Sequence, residues 1–130
     1  MFELTIEPRF SETDALGHIN NTVIPIWFEQ GRTPIFRMFV PNLDVSRWSL
    51  VLARIEIDYL REIFYGTSVE IRTGVEKIGN TSYVVSQELW QEGEKKATGR
   101  TVAVCFDTET RKSSPIPEAV REQLTKHLIV

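Results

Sequence analysis

Residues 11–21 read Ser-Glu-Thr-Asp-Ala-Leu-Gly-His-Ile-Asn-Asn and concentrate groups that do chemistry. Glu12 and Asp14 supply carboxylates, His18 an imidazole, and Asn20 and Asn21 amides, all just before an apolar-periodic stretch. The start of a helix offers unpaired backbone N–H groups and a partial positive charge. A thioester or amide carbonyl aimed at such an end finds an oxyanion site, and a nearby carboxylate can attack it or activate water. On composition and spacing alone, caps and loop hydrogen bonds account for the same residue types.

The elements that must position this segment follow from periodicity. Phe2, Leu4 and Ile6 alternate with Glu3, Thr5 and Glu7, a short strand within residues 2–10. Val23, Ile24, Trp27, Phe28, Gly31, Ile35 and Phe39 recur at spacings of three and four, which predicts one main amphipathic helix. Asn20 or Asn21 caps it, Pro25 fits its first turn, Pro34 should kink or shorten it, and Pro41 ends it. Beyond Leu50 the period becomes two: Ala53, Ile55, Ile57 and Tyr59; Val69, Ile71, Thr73 and Val75; Tyr83, Val85, Gln87 and Leu89; then Val102, Val104 and Phe106. Gly79-Asn80 and Glu92-Gly93 mark hairpin turns, and a short helix is expected over 118–127. The order predicts an α+β fold, an antiparallel sheet of about five strands around a single helix. One helix covers little of such a sheet and both edges stay open, so self-association is expected.

Composition narrows the functions. The 130 residues, 42% hydrophobic, suit one domain spanning 1–130 with its own core. A net charge of −3 gives no field for holding nucleic acid. No apolar run reaches the roughly 20 residues of a membrane-spanning helix, and the N-terminus lacks the pattern of a secretory signal. Cys105 is the only cysteine, so no intrachain disulfide can form and a reducing, cytoplasmic setting is expected. Within a strand pattern, it reads as a small core residue. Glu12, Asp14 and His18 lack a second histidine nearby, so no metal is expected.

The stretch SETDALGHINNTVIPIWFEQGRTPIFR resembles the opening motif of the 4-hydroxybenzoyl-CoA thioesterase family of single hotdog folds, in particular its acyl-CoA thioesterase branch with D-x-x-x-H-[VI]-N-N before a helix. The similarity continues through Tyr59-Leu60-Arg61-Glu62, Tyr65-Gly66, Lys77 to Ser82, and Phe106-Asp107 before Pro115-Ile116-Pro117. Glu62 stands where the family often has proline, and Pro34 where it has an ordinary helix former. The resemblance implies a five-stranded antiparallel sheet wrapped around one long helix, dimers or dimers of dimers joined edge to edge, active sites at the dimer interface, and no cofactor.

Carried over residue by residue, the resemblance makes Asp14 the catalytic carboxylate, as nucleophile or general base. The Asn21 N–H becomes the donor to the thioester carbonyl, and Gly17 the loop glycine that lets the backbone approach. His18 and Asn20 match branch-typical positions; His18 orients Asp14, binds substrate or braces the loop. The implied reaction is hydrolysis of an acyl-CoA, with a dehydratase or hydratase and a non-catalytic acyl-CoA-binding module as alternatives.

Other residues have plainer readings beside functional ones. Trp27, Tyr59 and Tyr65 are core residues or acyl contacts. Arg61, Lys77, Lys95, Lys96 and Arg100 are candidates for the CoA phosphates or solvated charges. Glu12 is expected as a solvated charge, and Glu29 as a local partner of Arg32.

Overall fold

The computed structural model describes residues 1–129. Five strands form one curled antiparallel sheet in the order β1-β3-β4-β5-β2: β1 (Phe2–Ile6), β2 (Leu50–Tyr59), β3 (Val69–Ile78), β4 (Ser82–Gln91) and β5 (Glu94–Asp107). A short β6 (Lys112–Ser113) folds back onto the end of β5. The helical stretch α1 (Ile24–Gly31) and α2 (Thr33–Phe39) packs against the concave face, and α3 (Glu118–Thr125) closes the far end.

The single helix expected from sequence is two helices broken at Arg32. Pro34 has no N–H to give and crowds the preceding turn, so the chain turns at Arg32 and restarts. The helical periodicity nevertheless survives the break: Ile24, Trp27, Phe28, Gly31 and Ile35 are all buried. Each such large apolar side chain contributes about 1.5–3 kcal/mol by leaving water.

Strands β1, β3 and β4 obey their period-two patterns, β5 inverts its own, and β2 departs from the expected one, since Ala53, Ile55 and Tyr59 are exposed and only Ile57 of that set is half-buried. Val69, Ile71, Thr73 and Val75 on β3 and Tyr83, Val85, Gln87 and Leu89 on β4 all face the helix and are buried. On β5 the inward face carries Ala97, Gly99, Thr101, Ala103 and Cys105, while Val102, Val104 and Phe106 are only half-buried. Helix packing explains the inversion. A Cβ at Gly99 would lie 2.8 Å and 2.9 Å from Phe28 ring carbons, so the face under α1 has to be small.

Strand β2 is an edge with its outer ladder unpaired. A bulge between Leu52 and Arg54 leaves Ala53 out of the register with β5. Val51, Leu52, Ile55 and Tyr59 are exposed there. At the opposite edge, beyond the end of β1, residues 127–129 lie along β3: Val75 donates to His127 O and Ile129 donates to Val75 O.

Candidate active site

The loop carrying Asp14 is pinned at both ends. Thr13 bridges Ile19 and His18 bridges Phe64 in ladder fashion. Inside the loop, Asp14 N donates to His18 O at 2.7 Å. Gly17 closes the turn at φ +81°, a left-handed conformation that costs glycine little. The backbone N–H groups of Leu16 and His18 both donate to Asp14 Oδ1, at 2.8 Å and 3.1 Å. That fixes the carboxylate's orientation and leaves Oδ2 without a donor among the described residues.

The helix start lies beside it. Asn20 is the cap: its Oδ1 accepts from Thr22 N at 3.0 Å and Thr22 Oγ1 at 2.9 Å. Asn21 opens a single 3-10 turn leading into α1, where its own N–H has no intrahelical acceptor. From the end of β2, the Tyr59 hydroxyl donates to Asn21 O at 2.8 Å. Burial pushes the Tyr59 phenol up, so it remains a donor.

Asp14, His18, Asn20, Asn21 and Tyr59 line one cavity of about 740 Å³, whose other wall is Leu60, Arg61, Glu62 and Ile63. His18 sits 3.3 Å through Nε2 from Glu62 and stacks edge-on against Phe64. The cavity therefore brings an oriented carboxylate and the start of the helical stretch to one cleft large enough for a small ligand.

Other sequence-derived candidates fall elsewhere. Trp27 is buried and does not line this cavity. Tyr65 lies outside it, edge-on to Phe10. Gly17 is at the tip of the loop, with open space on its Cα. Arg61 and Lys96 meet at Glu94, at 3.6 Å and 3.5 Å, and Lys96 also lies over the Phe64 ring. Lys95 is drawn away to Glu88 and Trp90, Arg100 is forked onto Glu76, and Lys77 is exposed on β3.

Two expectations are overturned here. Glu12 is not a solvated charge but is buried, accepting from Arg9 N at 2.7 Å and from the Trp27 indole N–H at 3.0 Å. Its carbonyl also takes the Asn20 N–H, so Glu12 ties the loop to the helix from beneath. Arg32 does not pair with Glu29. It turns inward, and Nη1 donates to Gln87 Oε1 at 3.1 Å and Thr101 Oγ1 at 3.4 Å.

Sequence reasoning also missed Gln91, which braces the cavity's second wall. Its Oε1 accepts from Phe64 N, and its Nε2 donates to Phe64 O and Thr67 O. Nothing in a β-strand glutamine signals that role. For Glu12 a signal existed: it stands three residues after Arg9, the spacing at which a glutamate side chain reaches back to a backbone N–H at a helix start.

Comparison with known proteins gives these features a context. The model of the thioesterase-like superfamily matches residues 8–124. A predicted thioesterase from Bacillus stearothermophilus superposes with a TM-score of 0.97 at 46% identity, over 98% of this chain and 96% of that one. A Thermus thermophilus thioesterase, solved with coenzyme A and zinc, gives 0.84 at 31% identity over 94% and 95%. The 1,4-dihydroxy-2-naphthoyl-CoA hydrolase of Synechococcus elongatus is 28% identical over 89% of each chain. The curled sheet around a helix is the hotdog fold these structures share.

Proposed function

The chain belongs to the thioesterase-like superfamily, and we propose that it hydrolyses an acyl-CoA thioester to a free acid and CoA at the Asp14 cavity. The observation that carries this reading is that Asp14, its Oδ2 free of donors among the described residues, and Asn21, at the start of the helical stretch, line one cleft. The thioester carbonyl accepts from the Asn21 N–H, so the positive end of the helix stabilises the oxyanion as the tetrahedral intermediate forms. Asp14 either attacks the carbonyl carbon or takes a proton from the attacking water. In the first route the C–S bond breaks to release CoA thiolate, and water then hydrolyses the mixed anhydride to return Asp14. In the second, water adds directly and CoA leaves as the intermediate collapses. Neither route needs a cofactor.

Arg61, which lines the cavity and is exposed, is the basic side chain best placed for the CoA phosphates, while Lys96 is buried and shares Glu94 with it. His18, held by Glu62 and Phe64, braces the wall opposite Asp14. The exposed apolar edge of β2 supports pairing with a second copy, a dimer or dimer of dimers, which would cover Val51, Leu52 and Ile55. The free, buried Cys105 suits a reducing, cytoplasmic setting.

The test is free-thiol release over a panel of acyl-CoAs from acetyl to palmitoyl, with benzoyl and hydroxybenzoyl thioesters included. Release from at least one class at enzymatic rates is expected. Tight thioester binding with no release from any would overturn hydrolysis in favour of a binding module. Solvent-labelled oxygen found in Asp14 after a single turnover requires the anhydride and contradicts a pure general-base route.

A further inference from the structure

A second cavity, of about 570 Å³, lies between α1, α2 and the sheet. Its walls are mostly apolar, with Ile26, Phe36, Trp48, Leu50, Val85 and Ala103 among them. Of the polar side chains in that lining, Glu29 and Gln30 are exposed, Thr33 is half-buried and Thr101 accepts from Arg32. Arg32 and Tyr83 are both more than nine-tenths buried, at 4% and 1% exposure.

Neither is satisfied by the protein. Both hydrogens of Arg32 Nη1 are used, on Gln87 and Thr101, but Nε and Nη2 have no acceptor among the described residues. No carboxylate among them reaches ion-pair distance of the guanidinium, and Glu29 stays exposed at the rim. The Tyr83 hydroxyl likewise has no hydrogen-bond partner among the described residues. Yet no fully enclosed side-chain polar atom is orphaned there, so these unused donors open onto the cavity.

A buried arginine without a counter-charge is costly, and proteins rarely keep one that is not paired. Burial pulls the Arg32 guanidinium down, while Glu29 and Tyr83 pull it back up. It stays charged, because arginine does not give up its proton in proteins. Burial pushes the Tyr83 phenol up, so it is a donor rather than an acceptor. The free groups are therefore all donors, with one fixed positive charge, at the floor of an apolar chamber. The complementary ligand is apolar along its length and ends in a carboxylate.

Resting on the thioesterase reading above, we propose that this cavity receives the far end of the acyl group and that Arg32 and Tyr83 together bind a carboxylate there, selecting ω-carboxylated acyl thioesters over methyl-terminated ones. The two sites flank the same helix, which rises about 16 Å from Asn21 to Arg32. A guanidinium fork and a phenol make three to four bonds to one carboxylate, the geometry that sets arginine apart from lysine. The same chemistry could come from a free fatty acid, the product of hydrolysis.

The experiment compares matched pairs, from adipoyl-CoA with hexanoyl-CoA up to hexadecanedioyl-CoA with palmitoyl-CoA, in the parent, Arg32→Met, Arg32→Lys and Tyr83→Phe. The readout is the ratio of kcat/KM for the two members of each pair. At the preferred length, the parent ratio should exceed about ten. It should fall about a hundredfold in Arg32→Met and about tenfold in Tyr83→Phe, with Arg32→Lys in between. Tyr83→Phe removes a hydroxyl that bonds to nothing in the protein, so it keeps the test informative if an Arg32 variant fails to fold. A parent that prefers the methyl-terminated member at every length overturns the inference alone. So do variants that change both members of each pair equally. A parent that releases thiol from no thioester overturns the proposed function and this inference with it. Calorimetric binding of free dodecanoate that is lost in Arg32→Met, without any preference among thioesters, would assign the cavity to the free acid and overturn the acyl-terminus reading.

Discussion

Glu12→Gln tests whether the active-site loop is held from below by a buried carboxylate. The substitution keeps the shape but exchanges one oxygen for an NH2. Both oxygens are occupied by donors: Oε1 by Arg9 N at 2.7 Å, and Oε2 by the Trp27 indole at 3.0 Å with the Arg9 guanidinium at 3.5 Å. Whichever way the amide turns, its NH2 meets an N–H and strands it. One charge-assisted bond lost and one buried donor orphaned should cost about 2–3 kcal/mol. In a domain of this size that lowers Tm by about 6–12 °C.

The pH dependence gives an independent check. Burial pushes the Glu12 carboxyl up, but hydrogen bonds from Arg9 and Trp27, helped by the charge of Arg9, outweigh it and hold the group below its ordinary value. A depressed folded-state value means the stabilisation is full above the unfolded value of 4.5 and fades as pH falls through the folded one. Urea unfolding of parent and variant, followed by tryptophan fluorescence at fixed protein concentration, should show the full gap at pH 7 and a narrower one at pH 3. A gap below about 0.5 kcal/mol at pH 7, or one unchanged at pH 3, would refute the reasoning, because an exposed glutamate gives the first and a purely steric effect the second.

Three further outcomes are expected. Gly99→Ala drives a Cβ to within 2.9 Å of the Phe28 ring and should destabilise by about 1–3 kcal/mol in thermal melts, even though alanine is otherwise the better strand residue. Cys105 is buried, and burial pushes its thiol up to about 11, so Ellman's reagent should react slowly with the native protein at pH 8 and rapidly in denaturant. Arg61→Ala should raise KM for acyl-CoA severalfold with little change in kcat, and the increase should shrink at high salt.

Much of this molecule was legible from periodicity, because side chains facing a packed helix must be apolar every second position along a strand. Strands β3 and β4 follow that rule closely. It misread β5, where the apolar pattern of Val102, Val104 and Phe106 marks the outer face. The helix approaches so closely that Gly99, Ala97 and Ala103 are what fits beneath it, and small residues carry little hydrophobic signal. The helix break was half legible: Pro34 announced it, but that Arg32 would turn into the core was not, because its partners Gln87 and Thr101 are distant in sequence. Glu12 misled for the same reason, since Trp27 is brought to it only by the fold. The Asp14 loop was found because its groups are local, held by turns within residues 13–20.

The most direct measurement is thiol release by Asp14→Asn beside the parent on the parent's best acyl-CoA, with substrate binding and folding checked in both. Asparagine can keep the Oδ1 bonds from Leu16 and His18 and places its NH2 where Oδ2 has no partner, so the loop should survive. The account predicts that kcat falls by at least about a hundredfold while binding persists. A variant that folds, binds and hydrolyses as fast as the parent would contradict the assignment of Asp14 and move the chemistry to another carboxylate or imidazole.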